Sequence, residues 1–190
     1  GDDREYRGEN DYSDRTRDTY VVNTANGERH LVAKKHTGGV SWSPDVKYGL
    51  RFDGRDWHSI AVPFGRVTNL TGSVNARFRN EDHDTPNVPG PYGVGGWTRD
   101  GRVLLYDRYD IWSVAPDGSG AVNLTLGAGR KEGVVLRAVR LDAEQDSFDL
   151  TQPLLLKAES ERTRESGFYR LEKGVVRKVT MAAKEYGPLL

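Results

Sequence analysis

The sequence predicts an all-β fold built from repeated four-stranded antiparallel sheets, and three observations predict it. The apolar residues fall in short runs rich in Val, Ile, Tyr and Trp, side chains that suit a half-buried pleated surface. Turn signals separate the runs: ANGE, SPDV, RDGR, PDGSG and EKG stand where hairpins should close. A longer unit also recurs. Trp42 matches Trp97, Asp45 matches Asp100, and Phe52-Asp53 matches Tyr106-Asp107. Asp56 matches Asp110, Ser59-Ile60 matches Ser113-Val114, and Asn69-Leu70-Thr71 matches Asn123-Leu124-Thr125. The spacing is about 54 residues, near the range of sheet-forming repeats.

Strands are expected at 19–24, 30–35, 48–52, 57–62, 103–107, 111–115, 134–141, 154–159, 167–172 and 175–180. Each full unit adds a Trp-bearing strand before its Asp turn and a last strand ending in Asn-Leu-Thr. No segment has the apolar stripe of a long amphipathic helix. Residues 158–166, AESERTRES, have helical composition without such a stripe and read as a polar loop. Two segments exceed what a bare unit needs, 72–95 and 126–133, and read as insertions.

A four-stranded sheet of this kind has two apolar faces and covers neither alone; stacking face to face buries both. The predicted architecture is therefore a β-propeller with about four blade-equivalents in the chain. Residues 1–39 form the back of one blade, 40–94, 95–133 and 134–181 are three blades, and 182–190 begin a further one. Complementary half-blades at the two ends favour closure by strand exchange between two copies, giving a two-fold ring of about eight blades. Trp42 and Trp97 are read as wedges between neighbouring sheets. Asp45, Asp56, Asp100 and Asp110 are read as turn-forming carboxylates.

Composition narrows the function classes. Lys and Arg number 28 and Asp and Glu 28, so there is no global attraction for nucleic acid. There is no cysteine, which removes disulfides and thiolate chemistry. No apolar run approaches the roughly 18 residues of a membrane span. The opening GDDREYRGEND has no apolar core of secretory type and leaves the compartment open.

The stretches VSWSPDVKYGLRFDGRDWHSIAV and WTRDGRVLLYDRYDIWSVAPDGSGAVNLT resemble the TolB/PD40-type propeller repeat. More closely, and most specifically over EDHDTPNVPGPYGVGGWTRDGRVLLYDRYDIW, the chain resembles part of the N-terminal propeller of bacterial S9 serine peptidases, the prolyl oligopeptidase and acylaminoacyl peptidase group. The resemblance spans essentially all 190 residues. It implies a domain that gates access to an α/β-hydrolase domain and helps select short peptides. No G-x-S-x-G is present, DGSGA at 117–121 being a hairpin turn, so no catalytic residue carries over. The expectation is a non-catalytic, cofactor-free module that acts in self-assembly and in peptide or protein binding. The alternative is one portion of a working peptidase whose hydrolase domain is absent from this chain.

Asp82, His83 and Asp84 combine carboxylate and imidazole as a divalent-cation site would. Successive residues rarely converge on one point, so a turn-rich loop is preferred. His58 matches Trp112 and reads as a packing position. Arg17, Arg55 and Arg108 precede the third strand of successive units and define a possible binding rim. Both NLT sequences fit the glycosylation pattern, but their shared repeat position gives them a structural reading.

Overall fold

The computed structural model describes residues 2, 4–6, 16–36, 38–63, 65–142, 144–184 and 186. Strand accounts for 46% and helix for 4%, so the chain is all-β as expected, and none of its sheets closes on itself. A hairpin comes first, β1 (Arg17–Val22) with β2 (Arg29–His36). A four-stranded meander follows: β3 (Ser41–Trp42), β4 (Tyr48–Phe52), β5 (Trp57–Ala61) and β6 (Arg66–Asn69). The next meander holds β7 (Val94–Thr98), β8 (Val103–Tyr106), β9 (Ile111–Val114) and β10 (Ala121–Asn123). After a one-turn helix, α1 (Ala128–Glu132), the chain makes β11 (Val134–Ala138), β12 (Ser147–Phe148), β13 (Leu154–Ser160), β14 (Ser166–Glu172) and β15 (Val175–Ala182). The last sheet runs β11-β13-β14-β15, all antiparallel.

Three apolar layers join the four sheets in chain order. Val32 and Ala33 of the hairpin meet Ile60, with Trp42 packed alongside. Leu50 and Trp57 of the second sheet meet Trp97, Val103, Leu105 and Val114 of the third. Leu104, Tyr106 and Ile111 of the third meet Leu136, Leu156, Tyr169 and Leu171 of the fourth. β8 explains its own composition: its four residues VLLY are all buried because successive side chains enter different layers. In β13 and β14 burial alternates, and Lys157, Glu159, Arg170 and Glu172 face solvent. Each fully buried Leu or Ile contributes about 1.5–3 kcal/mol.

Four expectations are corrected. β11 stops at Ala138, short of residue 141, because the chain then leaves the sheet. β12 joins the third sheet instead, pairing in parallel with β7 (Ser147 opposite Trp97, Phe148 opposite Thr98). The strand expected at 154–159 is present and runs on to Ser160, so the polar loop read at 158–166 is confined to 161–165, Ala158 and Ser160 being buried in the alternation of β13. Residue 182 closes β15 and starts nothing new among the described residues; 185 and 187–190 lie outside them.

Repeated sequence has become repeated hydrogen bonding. Asp53 Oδ1 accepts the Arg55 and Asp56 N–H groups (2.9 and 2.8 Å), as Asp107 Oδ1 accepts those of Tyr109 and Asp110 (2.8 and 2.7 Å). Thr71 Oγ1 donates to Asp56 (2.9 Å) and accepts the Trp57 N–H (3.0 Å). Thr125 Oγ1 does the same with Asp110 (2.6 Å) and Ile111 (3.3 Å). Asn69 and Asn123 each accept the N–H of the threonine two residues on, both at 3.0 Å. The Asn-Leu-Thr sequence thus clamps the end of each sheet. The first hairpin turns vary more: Asp45 accepts the Ser43 hydroxyl and the Lys47 N–H, whereas Asp100 accepts the Thr98 hydroxyl.

Val46 sits in that first turn at φ 55°, where the next sheet has Gly101 at φ 79°. A β-branched side chain at positive φ is strained by about 1–2 kcal/mol, and Val46 is 54% exposed, so it has little packing to lose. Val46→Gly is therefore expected to raise stability by up to about 1 kcal/mol, part of the relief being offset by glycine's greater freedom when unfolded. Urea unfolding of the two proteins measures it, and an unchanged or lower midpoint would contradict the strain.

Candidate binding rim

In an antiparallel meander, successive turns alternate between two ends. The β3–β4, β5–β6, β7–β8 and β9–β10 turns share one end. The β4–β5 and β8–β9 turns, the long loop 70–93 and α1 lie at the other. Arg17 at the start of β1, Arg55 in the β4–β5 turn and Arg108 in the β8–β9 turn all fall at this second end.

Their chemistry differs. Arg17 has no carboxylate at ion-pair distance among the described residues and lines a cavity of about 440 Å³. Arg55 is exposed and lies 3.7 Å from Asp56. Arg108 is tied down: its Nη1 meets Asp82 at 2.9 Å, its Nε meets Glu161 at 3.0 Å, and its guanidinium lies over the Tyr109 ring. Glu161 also accepts the Tyr109 hydroxyl at 2.7 Å. One arginine so joins the 70–93 loop, the third sheet and the β13–β14 turn.

Glu161 is partly buried, which opposes its charge. Hydrogen bonds from Tyr109 and Arg108 outweigh that and hold its pKa below the usual 4.5. A carboxylate depressed on folding stabilises the protein above its unfolded pKa, and the contribution disappears as pH falls through the folded value. The stability gap between the wild type and Glu161→Gln is therefore expected at pH 7, should begin to shrink as pH falls below the usual 4.5, and should be lost once pH has passed below the depressed folded value. Thermal melts across that range measure it; a gap of constant size would overturn the assignment.

Beneath the rim lies a buried polar layer. Asp110, 1% exposed, accepts from Thr125 Oγ1, the Gly129 N–H (3.1 Å) and the Arg130 N–H (3.3 Å), so it fixes α1 to the third sheet. Asp107 accepts the Trp112 indole N–H at 3.0 Å. Arg137 reaches over from β11, donates to the Asp107 and Arg108 carbonyls (3.2 and 3.1 Å) and stacks on Tyr106. Burial pushes its pKa down against the pull of Tyr106 and Asp107. Asp56, the counterpart of Asp110, is more open, with its side chain 16% exposed.

The 82–84 cluster does not converge. Asp82 is engaged by Arg108, a ring nitrogen of His83 lies 2.8 Å from the Asn87 carbonyl, and no group of three metal-ligating side chains occurs among the described residues. His58 is half-buried, its Nδ1 3.6 Å from Asp53. Trp97 is buried in the layer between the second and third sheets, and Trp42 packs against the layer before it.

At the opposite end a cavity of about 630 Å³ opens between the second and third sheets. Tyr48, Trp97, Lys47, Arg99 and Arg102 are among its lining. Its cations are occupied: Lys47 pairs with Asp45, Arg99 with Asp149, and Arg102 donates to Ser113 and the Gly120 carbonyl. Sequence reasoning missed Phe78, 1% exposed, which anchors the 70–93 loop in the core. It is the one large apolar residue in the GSVNARFRNEDH stretch, and that contrast was the available signal. Glu161 carried none, because its partners are more than 50 residues distant.

The class defined by this geometry is a β-rich chain of four sheets with a charged rim. No family model matches the chain, and no curated protein or solved structure matches it either.

Proposed function

We propose that the chain is a non-catalytic β-propeller module whose four sheets are consecutive blades, and that it acts by joining a second copy and by binding a peptide or protein segment. One observation carries the reading: the sheets follow the chain order and are joined face to face by three successive apolar layers, as stacked blades require. The S9 propellers that the sequence resembles supply the expectation of a peptide partner, and a hydrolase domain is the second partner that the resemblance implies. β15 supports the self-association: it is the outer strand of the last sheet, pairs with β14 alone among the described residues, and has Val175 and Val179 exposed. An edge strand of this kind can accept a strand from another chain.

Sedimentation equilibrium tests the assembly. A species of twice the 21.2 kDa chain mass at micromolar concentration is expected. A monomer throughout that range would remove self-assembly from the function.

A further inference from the structure

The rim cavity beside Arg17 differs from the others in chemistry. Among the described residues ten line it, and Arg17 is the one charge among those ten. Phe52 and Trp57 form its aromatic wall, with ring centroids 5.3 Å apart, and Val88, Pro89 and Pro91 of the 70–93 loop face them. Glycines fill the remaining positions. Gly54 lets the Val88 side chain come close: a Cβ there would lie 2.2 Å from Val88 Cγ1. Gly39 and Gly90 have nothing within 4 Å of where a Cβ would stand, so main chain is uncovered on both sides of the space. The volume, about 440 Å³, falls within the size of small-ligand sites.

We propose that this cavity binds the last residue of a peptide, one with an apolar side chain and a free C-terminal carboxylate. The apolar side chain enters between the aromatic pair and the proline-rich loop. The carboxylate meets the Arg17 guanidinium, whose fork of donors suits two carboxylate oxygens. Charge complementarity with Arg17 favours an anionic end group, and among the described lining residues no carboxylate stands ready for a cationic one. The inference rests on the binding half of the proposed function and names its ligand class. It does not depend on the copy number measured by sedimentation.

The test uses the full chain and two N-terminally fluorescein-labelled tetrapeptides ending in phenylalanine, one a free acid and one a C-terminal amide, read by fluorescence anisotropy. The acid is expected to bind about tenfold or more tightly than the amide, as for a charge-assisted contact. Arg17→Gln, an exposed change, should bring the ratio close to one while the melting temperature stays constant. Gly90→Leu, which fills open space, should weaken acid and amide together. Equal binding of acid and amide to the wild type, absence of binding, or an undiminished ratio in Arg17→Gln would each overturn the proposal. So would unchanged affinity in a folded Gly90→Leu protein. A dimer that fails to bind would refute this site and leave the assembly intact, whereas a monomer that binds would do the reverse.

Discussion

Asp110→Ala is expected to destabilise the protein by about 3 kcal/mol or more. The carboxylate is 1% exposed and accepts from the Thr125 hydroxyl and from the Gly129 and Arg130 N–H groups. Removing it leaves buried donors without partners, and each orphan costs about 1–3 kcal/mol. The matching residue of the preceding sheet supplies an internal control. Asp56 holds Thr71 in the same way, but its side chain is 16% exposed and no helix leans on it. Water can replace what is lost there, so Asp56→Ala should cost about 1–1.5 kcal/mol. Urea unfolding of both variants decides the matter. Equal losses would mean that the extra contacts to α1 contribute nothing.

Gly167→Ala should be as damaging for a steric reason. A Cβ at 167 would lie 2.0 Å from the Thr180 carbonyl oxygen and 2.9 Å from Met181 Cα. Both are backbone of β15, so no rotamer change makes room. β14 and β15 must separate where Gly167 faces Met181, beside the irregular register at Phe168 and Tyr169. Strand separation and the exposure of Tyr169, 4% exposed now, are expected to cost about 3 kcal/mol or more. Hydrogen exchange gives the local readout: amides of 175–182 should lose protection first. Uniform loss across all sheets would show that the fourth sheet does not yield on its own.

Local chemistry was legible in the sequence and long-range pairing was not. Strands such as Tyr48–Phe52 follow from β-branched and aromatic runs bounded by turn residues, and the structure has that strand at those bounds. The repeat reached further, because Asp56, Thr71, Asp110 and Thr125 recur to serve one another. What escaped has no short-range mark. β12 is two residues long and pairs with a strand 50 positions earlier. Arg108 looked like a free rim charge because Asp82 and Glu161, which engage it, come from distant turns. Arg17, Arg55 and Arg108 were grouped on pattern alone. By the alignment of Asp53 with Asp107, the residue matching Arg55 is Tyr109, and the Arg108 and Arg130 guanidiniums both lie over that tyrosine's ring.

The parallel pairing of β12 with β7 has a kinetic consequence. The Arg99 N–H donates to the Phe148 carbonyl at 2.8 Å and the Arg99 side chain pairs with Asp149, so residues 147–149 seal the border of a sheet whose own strands end by residue 123. On a ribosome, which delivers the chain in order at about 5–20 residues per second, that border stays unsealed for seconds after its meander has emerged. A nascent-chain arrest before residue 147 should leave it open to capture by chaperones, and an arrest after 149 should not.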